Sequence, residues 1–248
     1  MSAPSKQAPK LKLYTSRARW FHLLTAPADY RHEAACYASI AKRACKGKRE
    51  TMLELGSGGG NNAFHLKNHF RLTLTDVAKE MLALSRTINP ECEHICGDMR
   101  TLRLRRRFDI VFAHDAVSYM TDMRDLEAAM RTAFVHCRPG GIALFAPDDF
   151  RETFRSTTQH GGHDAGDRGL RFVEWSYDPN PADTHYVAEY AYLMRNGDTV
   201  RVEHDRHLNG LFLRVQWRAA LLRTGFEKIR MTRPRGCSNV IVAMRPKR

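Results

Sequence analysis

The chain has 248 residues and a formal net charge of +13, from 40 Lys and Arg against 27 Asp and Glu. This length suits one large α/β domain with a substantial core, and the charge suits an acidic partner such as nucleic acid or a phosphate-bearing metabolite. The sequence has neither an apolar run of about 18 residues nor an N-terminal apolar signal, so it predicts a cytoplasmic protein without a membrane partner.

The first 150 residues alternate between strand and helix patterns. A disordered polar tail is predicted over 1–12, and one domain over 13–248. A first helix runs from Thr25, its predicted cap, to Cys45, with Pro27 in the first turn. Strands and helices then alternate as far as "GIALFA", including a helix over about Asp122 to Cys137 that "RPGG" ends. This alternation predicts a parallel sheet with helices on both faces.

The pattern changes after Pro147. The stretch from Phe150 to about Gly169 is polar and rich in Gly and His, which predicts a loop or lid. Three alternating segments follow, "RFVEWS", "HYVAEYAYLM" and "TVRVEHDRH", and they predict a small antiparallel insertion. The lid and insertion together span 150–207. A helix ("RVQWRAALLRTG") and two strands ("FEKIRM", "SNVIVAM") complete the predicted domain.

The stretch "MLELGSGGGNNAF" places Gly56, Gly58 and Gly60 at the turn between the first strand and the next helix. In an open α/β sheet, ligands lie beyond the carboxyl ends of the strands, where this turn approaches them. Glycines there permit positive φ and let backbone N–H groups face a ligand. A purely structural turn is the alternative, because a GxGxG pattern alone is weak.

Acidic residues close the next two strands. Asp76 ends the second strand 20 residues after Gly56, a position that suits a carboxylate on ribose hydroxyls, or a helix cap, or both. The third strand ends in "CGDM", where Asp98 suits an adenine amino group and Met99 its ring. The alternatives are a turn cap for Asp98 and core packing for Met99. Three strand ends that each match a part of a nucleoside favour a binding site.

These motifs resemble the class I S-adenosylmethionine (SAM)-dependent methyltransferases. The resemblance rests on "ELGSGGG", the acid after the second strand, "GDMR" after the third and "CRPGG" before the fifth. Within that class, the order "DY..EA", "NP......GDMR", "RRF" and "PGG......ETF" is similar to the N,N-dimethyltransferases of nucleotide-linked amino sugars. The resemblance implies a Rossmann-like, seven-stranded methyltransferase sheet with helices on both faces, a small antiparallel β insertion, and SAM as cofactor.

The resemblance also implies roles for individual residues. Gly56, Gly58 and Gly60 would line the amino-acid and ribose portions of SAM, Asp76 would bind ribose, and Asp98 with Met99 would hold adenine. Tyr14 and Glu33 match an aromatic and an acidic position over the sulfonium and near the acceptor amine. A core aromatic remains the alternative for Tyr14, and an exposed ion-pair partner for Glu33.

The loop after the fourth strand, within "FDIVFAHDAVSYM", is where groups are expected to meet the methyl acceptor. Methyl transfer depends on alignment, supplemented by proton removal, and requires no metal. Tyr119 matches a Tyr or His position that faces the amine in the aminosugar enzymes. His114 is a further possible base, because imidazole accepts protons near neutral pH. A surface or cofactor-packing role is equally open for His114.

The family pattern is broken after the fifth strand, where "APDDF" stands in place of "EPW" and a second aromatic. Asp148 and Asp149 there would suit an amine's positive charge, or a divalent cation as in catechol-type O-methyltransferases. The sequence shows no third metal ligand, so binding of an amine is favoured over binding of a metal ion. His160 and His163 are a conceivable zinc pair, although a polar loop is the better interpretation.

The most basic run, "RTLRLRRRF", precedes the fourth strand, whereas the site follows it. Six strand residues separate the two by roughly 20 Å, which favours a solvated edge. The predicted function is methylation of a small molecule, most readily at an amine nitrogen. The alternatives are small-molecule O-methylation, RNA or protein methylation, and non-catalytic SAM binding. A monomer or homodimer is expected, with all six cysteines reduced.

Overall fold

The computed structural model describes residues 11–235 and 237–247. Most of the predicted tail therefore lies outside the described residues. Lys12 opens a short 3₁₀ helix, Lys12–Tyr14, so the folded segment begins one residue earlier than predicted. No helix within the described ranges is long and apolar enough to cross a membrane.

A seven-stranded sheet forms the centre of the molecule, in the order β11-β12-β5-β4-β1-β2-β3. The five strands from β1 to β5 are parallel, whereas β12 runs antiparallel to β5 and β11 antiparallel to β12. The predicted fold class is confirmed. The strands are β1 Thr51–Leu55, β2 Arg71–Asp76, β3 Glu93–Cys96, β4 Phe108–Ala113, β5 Cys137–Phe145, β11 Glu227–Thr232 and β12 Val240–Met244.

Helices cover both faces of this sheet, and the sheet itself is the centre of the core. Strand β4 is buried along its whole length; Val111 packs in the apolar cluster with Leu126 and Trp217, and Phe112 in the cluster with Tyr37. The helices are α1 Phe21–Leu24, α2 Arg31–Ala44, α3 Asn61–Leu66, α4 Lys79–Ile88, α5 Met123–His136 and α6 Arg214–Thr224.

The predicted first helix begins later than expected. A 3₁₀ helix, Pro27–Tyr30, precedes α2, and the side chain of Asp29 accepts a hydrogen bond from the backbone N–H of Ala26 at 2.8 Å. Thr25 is not the N-cap of this segment; it ends α1, where its backbone N–H donates to the carbonyl of Phe21. The N-terminus of α5 agrees with the pattern, because Asp122 caps it by accepting from the N–H of Asp125.

A second, five-stranded antiparallel sheet carries the predicted insertion, and within the described ranges it does not pair with the main sheet. Two of its strands lie where the sequence predicted a loop or lid. The loop prediction is wrong for 157–161 and 164–165, whereas the lid role stays a prediction. The strands are β6 Thr157–Gly161, β7 Asp164–Ala165, β8 Arg168–Tyr177, β9 His185–Asn196 and β10 Thr199–Gly210.

The second sheet packs on the N-terminal segment. Leu13 and Trp20 share an apolar cluster with Leu170 and Tyr192 of the sheet. The buried carboxylate of Asp205 on β10 also accepts a hydrogen bond from the N–H of Leu13 at 3.1 Å. The insertion therefore fixes the segment that carries Tyr14.

The prediction that all six cysteines are reduced is contradicted at one pair. Cys36 on α2 and Cys237, in the connection between β11 and β12, form a disulfide. The apolar helix pattern around Cys36 gave no sign of a partner 201 residues away. Cys45, Cys92, Cys96 and Cys137 are free thiols.

Candidate active site

The loop after β1 has the backbone that its glycines predict. Gly56, Gly58 and Gly60 have φ values of 74°, 53° and 81°, in the left-handed region that favours glycine. A Cβ on Gly56 would lie 2.3 Å from the Cβ of Ala116, so the loop also approaches the loop after β4 closely.

Four N–H groups of this loop bond within the protein and do not face a ligand as expected. Those of Gly56 and Ser57 donate to the carbonyl of Thr75, that of Gly60 to the carbonyl of Ser57, and that of Gly58 to Asp76. The expectation is wrong for these four groups because the loop uses them to hold its own shape. These four N–H groups are therefore already bonded within the protein.

Asp76 ends β2 and holds both sides of the loop. One carboxylate oxygen accepts from the N–H of Gly58 and the other from the N–H of Ala78, both at 2.8 Å. The helix-cap alternative is not realised, because the N-cap residue of α4 is Ala78 and no side chain caps this helix; Asp76 instead holds the turn before it. Lone pairs of Asp76 remain for ribose hydroxyls. Burial raises the pKa of Asp76, while these backbone hydrogen bonds lower it.

Asp98 and Met99 contact different parts of the protein. Asp98 receives hydrogen bonds from the backbone N–H and the guanidinium of Arg100, which also bonds Asp125 at 2.7 Å. Burial would raise the pKa of Asp98, but the Arg100 hydrogen bonds lower it overall. Met99 is buried, and its Cε lies 2.8 Å from where a Cβ on Gly56 would be. Asp98 thus stays ionised, whereas Met99 abuts the glycine loop.

Glu54, on β1 just before the glycine loop, is a candidate site residue that the sequence reasoning missed. Its side chain is buried at the end of β1, and its Oε2 has no hydrogen-bond partner in the part of the chain that the structure describes. Burial raises its pKa to about 8. A buried carboxyl group with a free oxygen fits the ammonium group in the amino-acid portion of SAM, whose positive charge would favour the ionised form of Glu54. Its place as the acid of the "ELGSGGG" motif is the sequence signal that could have identified Glu54.

Tyr14, Tyr119 and His207 meet from three distant segments. The hydroxyls of Tyr14 and Tyr119 are 2.9 Å apart, and the Tyr119 hydroxyl lies 2.8 Å from Nδ1 of His207 on β10. Tyr119 ends the 3₁₀ helix Asp115–Tyr119 that follows β4. His207 was missed because its strand pattern showed only an alternating residue, with no indication of what it faces.

A second polar group joins Glu33, Asn62 and His114. The Asn62 amide donates to Glu33 Oε1 at 3.2 Å and lies 3.2 Å from His114 Nδ1. Nε2 of His114 lies 3.4 Å from Glu33 Oε1 and 2.8 Å from Asp115 Oδ1. Asn62, in the first turn of α3, was another residue that sequence reasoning missed. The predicted residues Glu33 and His114 are thus brought together.

Burial sets the charges in this group. It lowers the pKa of His114, which is 7% exposed, although Glu33 and Asp148 oppose the shift. It raises the pKa of Glu33, and that of Asp115 to about 6. The group therefore holds a neutral imidazole beside carboxyl groups that can balance a proton when one arrives.

Asp148 and Asp149, which stand where the aminosugar enzymes have aromatic residues, lie at the carboxyl end of β5. Burial and the neighbouring Asp115 raise the pKa of Asp148, and burial and Asp148 raise that of Asp149 to about 6. His163, one of the two histidines of the conceivable zinc pair, contacts Asp29: its Nε2 lies 2.8 Å from Asp29 Oδ2. Across residues 11–235 and 237–247, no group of three or more His, Cys, Asp or Glu side chains is arranged to hold a metal ion.

Comparisons with known proteins agree with this geometry. Residues 52–141 match the family model described as "Methyltransferase domain". A Streptomyces fradiae dTDP-3-amino-3,6-dideoxy-alpha-D-glucopyranose N,N-dimethyltransferase is 28% identical over 201 residues, which are 79% of this chain and 77% of that protein. A Streptomyces venezuelae dTDP-3-amino-3,4,6-trideoxy-alpha-D-glucopyranose N,N-dimethyltransferase is 26% identical, with 79% and 83% covered.

Solved structures share the fold. Streptomyces venezuelae DesVI superposes with a TM-score of 0.82 at 24% identity, over 93% of this chain and 98% of that one. A SAM-bound amino pentose methyltransferase from Micromonospora echinaspora has a TM-score of 0.76 at 25% identity, over 87% and 91%. The domain match over residues 52–141 and the curated relatives confirm the predicted class of enzyme, a SAM-dependent methyltransferase. The more particular resemblance, to aminosugar N,N-dimethyltransferases, is confirmed as well.

Proposed function

We propose that this protein transfers a methyl group from SAM to the nitrogen of a small-molecule amine, with a nucleotide-linked amino sugar as the first acceptor to test. The observation that carries the proposal is the meeting of Tyr14 and Tyr119, with hydroxyls 2.9 Å apart, beside the loop that follows β4. Curated relatives named for this activity support it. The expectations of a cytoplasmic location and of a monomer or homodimer stay predictions.

SAM as methyl donor is confirmed by the comparison with a SAM-bound relative, and it supplies an activated methyl group. We infer that Gly56, Gly58, Gly60, Asp76, Asp98, Met99 and Tyr14 hold it, as the resemblance implies, and we add Glu54. The free oxygen of Glu54 and the remaining lone pairs of Asp76 fit its ammonium and ribose groups.

Glu33, His114 and Tyr119 then act on the acceptor side. An amine must present its lone pair as the free base, and it loses one proton for each methyl group that it gains. The neutral imidazole of His114 can take that proton, and Glu33 and Asp115 then balance the imidazolium charge at 3.4 and 2.8 Å. Tyr119 positions the nitrogen through its hydroxyl.

Alternative acceptors receive less support from the geometry. The basic run at 103–107 precedes β4, at the opposite end of that strand from Tyr119, and Arg106 there is paired with Glu93. The basic run and Tyr119 therefore do not form one contact surface for an RNA.

The test is SAM-dependent formation of S-adenosylhomocysteine (SAH) with dTDP-linked 3-amino sugars, simple amines, the matching hydroxyl sugars and RNA. We expect turnover with an amine only. We also expect Tyr119→Phe to slow turnover about tenfold, the effect of one lost hydrogen bond in alignment, with SAH affinity within about twofold. Tyr177→Phe, on β8, is the matched control. Turnover of hydroxyl sugars or RNA alone would overturn the proposal.

A further inference from the structure

Tyr119 is one member of a hydrogen-bonded chain that ends in the insertion. The chain runs from the Tyr14 hydroxyl to the Tyr119 hydroxyl, at 2.9 Å, and on to Nδ1 of His207, at 2.8 Å. Tyr190 of β9 packs against the His207 ring, with centroids 4.7 Å apart. These contacts hold the imidazole in one orientation toward Tyr119.

His207 is a neutral side chain in this setting. It is 3% exposed, and burial lowers its pKa to about 4, although the charge of Glu189 opposes the shift. Its Nε2 has no hydrogen-bond partner among the residues that the structure describes. A neutral imidazole has one donor and one acceptor nitrogen, and the Tyr119 hydroxyl can either donate to Nδ1 or accept from it.

We propose that His207 is a positioning residue whose Nδ1 accepts a hydrogen bond from the Tyr119 hydroxyl. The Tyr119 oxygen can then accept a hydrogen bond from the substrate amine. The inference rests on the proposed amine N-methylation. A phenol hydroxyl is a good donor to an unprotonated imidazole nitrogen, and this pairing places the imidazole proton on Nε2.

The direction of this hydrogen bond affects the reaction. A Tyr119 hydroxyl that was free to rotate could donate its proton to the lone pair of the acceptor amine, which is the pair that must attack the methyl carbon. With its proton directed to His207, Tyr119 can only accept from an N–H of the amine. The lone pair is then left free, and the nitrogen is still held in place.

Two substitutions separate this role from simple packing. His207→Asn can place an amide oxygen near the position of Nδ1, whereas His207→Leu fills part of the volume without an acceptor. We expect His207→Leu to lower kcat about fivefold to tenfold, with SAH affinity within about twofold, and His207→Asn to recover most of that loss. His204→Leu on the same strand, where His204 is exposed and paired with Glu189, is the control.

A double substitution tests the mechanism directly. Tyr119→Phe combined with His207→Leu should be no slower than Tyr119→Phe alone, because both remove the same interaction. Additive losses, or equal losses in His207→Leu and His207→Asn, would overturn the inference.

A spectroscopic measurement is independent of turnover. In ¹⁵N-histidine-labelled protein, the signals absent from the His207→Asn spectrum should show a neutral, Nε2-protonated ring that stays neutral at pH 5.5. An Nδ1-protonated ring would overturn the inference even if amines are methylated. If no amine is methylated but the Nε2-protonated ring is found, the proposed function fails while the hydrogen-bond direction stands.

Discussion

Asp76 has two tasks that a single substitution can expose. Its oxygens hold the N–H groups of Gly58 and Ala78, and its free lone pairs face the proposed ribose site. We expect Asp76→Ala to weaken SAH binding by about tenfold or more, because each hydrogen bond to a charged acceptor contributes about 1.5–3 kcal/mol. Isothermal calorimetry measures this, with Glu80→Gln, exposed on α4, as the control. Unchanged affinity would remove Asp76 from the site.

Glu54 gives a prediction in which stability and binding move in opposite directions. Its folded-state pKa is raised to about 8, above the ordinary value of 4.5, so the folded state binds more protons than the unfolded state between those values. Stability due to this group is therefore lost as the pH rises through about 8.

The substitution Glu54→Gln removes that cost. We expect its Tm at pH 8.5 to exceed that of the parent protein by a few degrees, with a smaller difference at pH 5, while SAH affinity falls because the carboxylate for the ammonium is gone. Differential scanning calorimetry at the two pH values and SAH titration measure both effects. An affinity that does not change would contradict the role given to Glu54.

At the scale of elements, the insertion holds the N-terminal segment in place. Asp205 on β10 is buried and accepts from the N–H groups of Lys12 and Leu13, next to Tyr14. Asp205→Ala leaves two N–H groups without this acceptor, so we expect about 1–3 kcal/mol of destabilisation and a Tyr14 that no longer meets Tyr119. The readouts are Tm, amide hydrogen exchange over 11–24, and KM for the acceptor.

Glu203→Ala is the matched control for this substitution. Glu203 lies two residues earlier on the same strand and pairs with Arg17 and Lys12 near the surface. Ion pairs of this kind contribute little, so the control should lose less than about 1 kcal/mol. Equal effects of the two substitutions on KM would show that Asp205 does not act through Tyr14.

The elements differ in how far the sequence could predict them. The apolar runs of β1, β2, β4 and β5 predict strands directly, because strands buried on both faces consist of such runs. Strand β6 was missed because "TTQHG" is polar and mostly exposed, so its pairing with β8 left no alternation to detect. The helical start at Thr25 was wrong because Asp29 forms the cap at a 3₁₀ turn.

The sequence predicted the site residues that lie at the ends of successive strands. It missed those that only the packing of distant segments brings to the site. Gly56, Asp76 and Met99 follow successive strands, and the topology of a parallel sheet places them together. His207 lies 88 residues after Tyr119, and Asn62 lies 52 residues before His114. Contacts over such separations depend on the packing of the second sheet and of α2, which no local pattern specifies.

At the scale of the whole molecule, the disulfide joins two distant parts of the chain. Cys36 on α2 lies three residues after Glu33, and Cys237 lies two residues before Asn239, whose amide donates to the carbonyl of Asp148. The bond therefore connects the helix that carries Glu33 with the connection that supports Asp148, across 201 residues of sequence.

This bond predicts four free thiols and a measurable stability difference. Without reductant, alkylation under denaturing conditions should modify only the four cysteines that the structure leaves free, and mass spectrometry counts them. Cys36→Ser should lower the free energy of unfolding by about 2–5 kcal/mol, because the unfolded chain regains the freedom of a long loop. Cys96→Ser, at an exposed free thiol, is the control. Six modified thiols, with equal stabilities for parent and Cys36→Ser, would restore the reduced state that the apolar pattern predicted.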